Sequence, residues 1–77
     1  MEYPTADLYL TSYLRLKMIE PELRRRGSTV MFVFDVDSIR DEVDRYWNGE
    51  KVNPLEYSEK IKETRSLMYA KKFEEKT

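Results

Sequence analysis

Nine residues in the middle of this chain, Ser28–Val36, form its only sustained apolar run (Ser-Thr-Val-Met-Phe-Val-Phe-Asp-Val). The run is rich in Val and Phe, which favour the pleated surface of a sheet over a helix. It is short, it follows Gly27 and it ends among aspartates, so we predict a β-strand. Both faces of this strand are apolar, and we therefore expect helices to cover most of it.

The segment before this run, residues 18–26, predicts a second strand at the edge of the sheet. Pro21 cannot donate a backbone hydrogen bond, which excludes both a helix interior and a central strand. Arg26-Gly27 supplies the reversal between the two strands, because glycine tolerates the positive φ of a tight hairpin. A two-stranded hairpin alone is barely stable in water, so the helices are required for stability.

Two of the three predicted helices flank this hairpin. The first follows Thr5, which can cap it; residues 8–16 also fit the alternation of a strand, but their length and composition favour a helix. The second opens at Asp37-Ser38, where Ser38 and Asp41 approximate a capping box, and it ends at Asn48-Gly49.

The third helix carries the clearest start signal in the chain. Asn53 is a favoured N-cap residue, and Pro54 is favoured at the first helical position. The sequence therefore predicts an α+β fold in the order helix, two-stranded antiparallel hairpin, helix, helix (αββαα). We expect a single small domain over residues 1–77, with frayed ends at 1–4 and 74–77.

The size of the chain and the residue types it lacks restrict its chemistry. A domain of 77 residues buries only about 60% of its unfolded surface, so its stability margin is thin. The chain has no Cys and no His, which excludes disulfides, thiol nucleophiles, Ser-His-Asp triads and imidazole acid–base catalysis. We predict a protein that is not an enzyme and has no cofactor, and that needs either a very well packed core or a partner subunit.

The N-terminus shows no targeting signal. Met1-Glu2-Tyr3-Pro4 has neither a basic region nor an apolar signal segment. No apolar run approaches the ~20 residues that span a bilayer. We therefore expect a cytoplasmic protein with no membrane partner.

Charge is distributed unevenly along the chain, although the net charge is only −1. Residues 15–26 carry five basic and two acidic side chains, a local charge of +3, and residues 35–50 carry two basic and six acidic ones, a local charge of −4. This pattern predicts an electrically lopsided molecule, suited to a charged partner or to head-to-tail self-association.

The basic segment suggests a nucleic-acid site. Arg24, Arg25 and Arg26 are predicted at the hairpin tip, where a basic ribbon can grip phosphates together with Arg15 and Lys17. Three exposed arginines on an edge strand also have a simpler interpretation, since they keep such a strand soluble and unpaired.

The acidic stretch Phe34-Asp35-Val36-Asp37 resembles the opening motif of haloacid dehalogenase-type phosphatases and the aspartate pair of nucleotidyltransferases. The phosphatase pattern continues with a turn residue and Thr, whereas Ser38 and Ile39 follow here, and 77 residues cannot supply the parallel sheet of those enzymes. We interpret Asp35 and Asp37 as residues that end a strand and cap a helix. A weak Mg²⁺ or Ca²⁺ site formed with Asp41 is a further hypothesis.

Six tyrosines and one tryptophan are more than a small core needs. Helical spacing predicts Tyr13, Trp47 and Tyr57 in the core. Tyr9 and Tyr69 are the aromatic residues that we expect at the surface, where they would serve as base-stacking platforms or as protein-interface anchors.

Six short segments carry a resemblance that spans nearly the whole chain: Thr5–Leu10, Tyr13-Leu14, Phe32–Phe34, Tyr46–Gly49, Val52–Pro54 and Leu67–Tyr69. With them the chain resembles a family of small bacterial domains of unknown function. In that family two tyrosines commonly precede Asn-Gly, whereas Tyr46-Trp47 stands here. The resemblance implies the same order of helices and hairpin, and it supplies no activity, cofactor or site.

The leading hypothesis is a non-enzymatic binding module that acts through protein–protein contact or homodimerisation. It depends on the marginal size, the many aromatic residues, the uneven charge and the edge strand, with Tyr9, Pro21 and Tyr69 as interface residues. Nucleic-acid binding through Arg15, Lys17 and Arg24–Arg26, together with nearby tyrosines, is the alternative, and a carboxylate metal site is the third hypothesis.

Overall fold

The computed structural model describes residues 1–74. Its six elements are β1 (Glu2–Thr5), α1 (Leu8–Leu16), β2 (Glu22–Arg26), β3 (Thr29–Asp35), α2 (Val36–Trp47) and α3 (Pro54–Lys72). The strands form one antiparallel sheet in the order β1-β3-β2. The predicted architecture was therefore wrong, because the order is β-α-β-β-α-α on a three-stranded sheet and not αββαα on a two-stranded hairpin.

The element that the sequence did not predict is β1, which lies in residues expected to fray. It pairs with β3 from Glu2 opposite Asp35 to Thr5 opposite Phe32. The amide of Val36 donates to the carbonyl of Met1 at 2.9 Å, and hydrogen-bonded pairs alternate along an antiparallel ladder. The main-chain groups of Pro4 therefore point away from β3, so its missing N–H breaks no hydrogen bond of the sheet.

The hairpin itself is confirmed. Arg26 and Thr29 close it, and Gly27 takes a φ of 62°, in the left-handed region that favours glycine. The edge strand is shorter than the predicted segment, because it begins at Glu22, directly after Pro21. At the other end of the chain, Glu74 follows the last helix, and residues 75–77 of the predicted frayed tail lie outside the described residues.

The starts of two helices differ from the prediction. Asp7, and not Thr5, caps α1, because its carboxylate accepts from the amides of Tyr9 (3.0 Å) and Leu10 (3.1 Å). Asp35 ends β3 and caps α2, as interpreted from the sequence, but this helix begins at Val36, earlier than the predicted Asp37-Ser38 start. The predicted Asn53 cap, Pro54 start and left-handed Gly49 (φ 75°) are confirmed.

The core lies between the inner face of the sheet and a layer of helices in which α1 contacts both α2 and α3. Its fully enclosed cluster consists of Leu10, Tyr13, Leu14, Phe32, Phe34 and Ile39. The molecule is only two layers thick, with Cα extents of 41 × 31 × 16 Å. Within the described range, none of the helices is both long enough and apolar enough to cross a membrane.

Candidate interaction surface

The sheet has one face that no helix covers. Because Phe32 and Phe34 point into the core, alternation places Met31 and Val33 on the opposite face of β3. The register adds side chains from both neighbouring strands to this open face, namely Glu2, Pro4, Glu22, Arg24 and Arg26. The open face therefore has an apolar centre on β3 with charged residues on either side.

Arg24 ties the three strands together on this face. Its guanidinium donates two hydrogen bonds to Glu2 on β1, one of them from Nη1 to Oε1 at 2.8 Å, and it donates to Glu22 on its own strand at 2.9 Å. To reach Glu2 the side chain crosses β3, which accounts for the burial of Val33 on an otherwise open face. The hydrogen bonds from Arg24 lower the pKa of the Glu2 carboxyl.

The β2 strand forms an open edge of the sheet. Arg26 and Thr29 close a two-residue turn, so the hydrogen-bonded pairs along β2 are Arg26, Arg24 and Glu22 with their partners on β3. The N–H and C=O groups of Leu23 therefore point away from β3. Among the strands of residues 1–74, β3 is the only neighbour of β2.

The remaining basic residues predicted to bind nucleic acid have other contacts. Arg15 is only 9% exposed, and it binds Glu20 (Nε–Oε1 2.9 Å) and the hydroxyl of Thr64 (3.0 Å). Lys17 forms an ion pair with Glu50 at 2.6 Å, which lowers the pKa of that carboxyl.

The arginines of the hairpin tip differ from one another. The guanidinium of Arg25 donates to the carbonyl of Lys72 at the end of α3 (2.9 Å), while Arg26 is exposed and makes no ion pair within the described part of the chain. The sequence therefore brings Arg24–Arg26 together on β2 as predicted, but Arg15 and Lys17 belong to other contacts. Arg15, Lys17 and Arg24 form ion pairs with glutamates, which weakens the positive charge of residues 15–26. The predicted lopsided charge of the whole molecule stays a prediction.

Three tyrosines fill the space between the helices. Tyr13 is buried and donates to Glu42 at 3.3 Å, and Tyr57 donates to the carbonyl of Tyr9 at 2.9 Å. Burial raises the pKa of both phenols to about 12, and it also raises the pKa of Tyr46, whose ring lies 5.2 Å from that of Tyr13. The core positions predicted for Tyr13 and Tyr57 are thus consistent with the structure.

Trp47 contradicts the prediction, because it is 67% exposed; its ring contacts that of Tyr46 edge to face. Tyr9 (53%) and Tyr69 (48%) are exposed as expected, and Pro21 is half-buried. Tyr9 lies beside Tyr57 near the start of α3, whereas Tyr69 lies 12 residues further along, which is about 18 Å of helix. The three predicted interface residues therefore do not form one patch.

Tyr69 lies on the flank of α3 next to β2. Met68 faces the core and Thr64 faces α1. Successive residues of a helix are rotated by about 100° around its axis, so Tyr69 points to the side of Met68 that is away from Thr64. α1 contacts both α2 and α3, and α3 also contacts β2. The side of α3 that is turned away from α1 is therefore its outer flank, next to β2. Phe73, which is 54% exposed, lies one turn after Tyr69 and extends this aromatic pair.

The aspartates of the predicted metal site have structural contacts. Asp35 caps α2 and also accepts from the hydroxyl of Ser38 at 3.3 Å. Asp37 forms an ion pair with Arg40 at 3.1 Å, and Asp41 is exposed. In the part of the chain that the structure describes, no group of three or more acidic side chains is placed to hold a metal ion.

Comparison with protein-family models, with curated proteins and with solved structures gave no match. The function must therefore be argued from the geometry alone.

Sequence reasoning missed two features of this surface. Glu2 was overlooked because β1 was expected to fray, although Glu2, Tyr3, Pro4 and Thr5 alternate in the structure between exposed and half-buried positions. Phe73 was overlooked because it follows the last core residue of α3. Its spacing of four from Tyr69 is the signal that could have indicated an aromatic pair.

Proposed function

We propose that this protein is a non-enzymatic interaction module that associates with a second copy of itself. One observation carries the proposal: within residues 1–74, as many large apolar side chains are exposed as are buried. The buried ones are Leu10, Tyr13, Leu14, Val30, Phe32, Val33, Phe34 and Ile39. The exposed ones are Met1, Tyr9, Met18, Trp47, Leu55, Leu67, Tyr69 and Phe73.

The small size of the chain is compatible with the same proposal. The surface of 5413 Å² is close to the value of about 5,000 Å² expected of a monomer of 9.4 kDa, and the chain has no cysteine for a disulfide. Association would add stability to a two-layer domain of this size.

The contacts of the basic residues give the nucleic-acid hypothesis less support. A phosphate would have to displace Glu2 and Glu22 from Arg24, and Glu50 from Lys17, before those cations could bind it. Arg15 is buried below the surface. Self-association does not require Arg15 or Lys17 to release their partners.

Sedimentation velocity from about 5 µM to about 500 µM tests the proposal, because this range covers the affinities expected of small interfaces. We expect the weight-average sedimentation coefficient to rise with concentration towards that of a dimer. A coefficient that stays at the monomer value over the whole range contradicts the proposal. A dilution series at high salt, run as a parallel measurement, separates an ionic contact from an apolar one.

A further inference from the structure

We infer that the second copy binds along the β2 edge, antiparallel to it, with Leu23 opposite Leu23 of the second copy. The inference rests on the proposed self-association and names its surface. Leu23 turns its N–H and C=O groups outward, so two copies that meet there can exchange a pair of backbone hydrogen bonds. The two sheets would join into one sheet of six strands.

The charges beside Leu23 are complementary in this register. Glu22 precedes Leu23 and Arg24 follows it, both on the open face. With Leu23 at the two-fold axis, Glu22 of each copy lies directly opposite Arg24 of the other, which gives two cross-strand ion pairs. Arg26 extends towards the end of the other strand, where Glu20 is exposed.

Other registers are disfavoured. A shift of two residues towards the hairpin tip places Arg24 opposite Arg24 of the second copy, and like charges directly opposite each other are destabilising. The alignment shifted by two residues also pairs Glu22 with Arg26 of the other copy, but it keeps the Arg24–Arg24 contact at the axis, whereas the alignment on Leu23 has no like charges opposite each other. A shift of one residue places Leu23 opposite Glu22 or Arg24 of the second copy. The N–H and C=O groups of those residues already bond to β3, so Leu23 would have no backbone partner there. The sequence Glu-Leu-Arg therefore favours the alignment on Leu23.

Arg24 takes part by turning away from β3 towards the second copy. In the single chain its guanidinium lies over β3 and uses three of its five N–H donors on Glu2 and Glu22. In the dimer it exchanges the contact with Glu2 for one with Glu22 of the second copy, so each Arg24 keeps a carboxylate partner.

The same two-fold axis brings the two copies of α3 towards each other, because α3 lies next to β2. Tyr69 is exposed on the flank of α3 that is turned away from α1, so we expect this side chain to become less exposed when the two strands pair.

Each edge of the sheet has one proline at an outward-facing position. Pro4 lies inside the four-residue strand β1, whereas Pro21 precedes β2 and lies opposite Arg25 of the second copy in this register, so only the outer pair there loses one hydrogen bond.

A charge-swap experiment tests the register. Glu22→Arg and Arg24→Glu each place like charges opposite each other, and we expect each variant alone to bind itself about tenfold or more weakly than the wild type. An equimolar mixture of the two variants should form a heterodimer, and the double variant should regain self-association. Glu59→Arg and Arg40→Glu are matched controls with the same charge changes on exposed helix positions, and we expect no change in their dimer affinity.

Disulfide trapping gives an independent readout if a swap unfolds the chain. The protein has no cysteine, so every cross-link comes from an introduced one. On mild oxidation, Glu22→Cys mixed with Arg24→Cys should cross-link several-fold faster to each other than either variant does to itself, because these positions are about 4.5 Å apart in a non-hydrogen-bonded pair.

The outcomes separate this inference from the proposed function. If the wild type dimerises, and both single swaps dimerise equally well, then the module self-associates through another surface and the β2 alignment is wrong. If heterologous and homologous cysteine pairs cross-link at equal rates, the alignment is also wrong. If the wild type stays monomeric throughout, the proposed function itself fails.

Discussion

Met18 combines an unfavourable backbone with a side chain that is almost fully in water. Its φ is 69°, in the left-handed region where a Cβ is penalised, and its side chain is 88% exposed. The position ends α1: the amide of Met18 donates to Arg15 at 2.9 Å, and the amide of Ile19 donates to Leu14 at 3.0 Å. This pattern of capping hydrogen bonds usually has glycine at the left-handed residue.

We predict that Met18→Gly raises the free energy of unfolding by about 0.5–1 kcal/mol, because glycine removes the steric penalty while losing no buried contact. Urea unfolding followed by circular dichroism measures the change. Met18→Ala is the matched control, since alanine keeps the Cβ and should leave the stability nearly unchanged. Equal stabilisation by both variants would show that the exposed methionine side chain, and not the backbone, is unfavourable.

Among the elements, the sequence predicted best where the signal is local. The apolar alternation of β3, the turn at Gly27 and the Asn53-Pro54 start of α3 depend on neighbouring residues, and all are present. The strand β1 was missed because Pro4 usually breaks a strand, and the outward direction of its main-chain groups depends on a partner 29 residues away. Trp47 was misplaced because its spacing from Ile39 continues the inward stripe, although α2 ends there.

The contacts of the candidate surface were harder still to predict. Arg15 and Thr64 are 49 residues apart, and Arg24 and Glu2 are 22 apart. Charge patterning along the sequence treats these side chains as solvated, whereas folding pairs them with residues from other elements.

At the level of the sheet, we predict that the Glu2 carboxyl titrates below the ordinary range because Arg24 holds its charged form. Since the pKa is lower in the folded state than in the unfolded one, this stabilisation is present above the unfolded pKa and is lost as pH falls through the folded one. NMR titration of the side-chain carboxyl measures it. Arg24→Met should return the pKa towards its usual value, while Arg26→Met, which removes the same charge from the same strand, should shift it much less.

For the molecule as a whole, the tyrosines between the helices set an alkaline limit. Burial raises the pKa of Tyr13 and Tyr57 to about 12, above the ordinary value of 10.0. The folded state therefore retains phenolic protons that the unfolded state loses, so the stability is complete below about pH 10 and decreases as the pH rises towards about 12.

We predict that the midpoint of urea unfolding falls over this interval, and that tyrosinate absorbance rises together with unfolding. Tyr13→Phe should lessen the alkaline loss, because phenylalanine has no proton to release. At neutral pH the same variant should cost only about 0.5–1 kcal/mol, the usual worth of the hydrogen bond to Glu42. An alkaline loss that is equal in Tyr13→Phe and the wild type would assign the effect to other groups.

Pro4 bears on how far the proposed assembly could grow. A sheet that accepted neighbours at both borders would recruit copy after copy and extend into a fibre. Pro4 removes one donor from the β1 border, so a further strand there would form one hydrogen bond fewer. If the proposed dimer forms at the opposite border, we therefore expect growth to end at a closed pair.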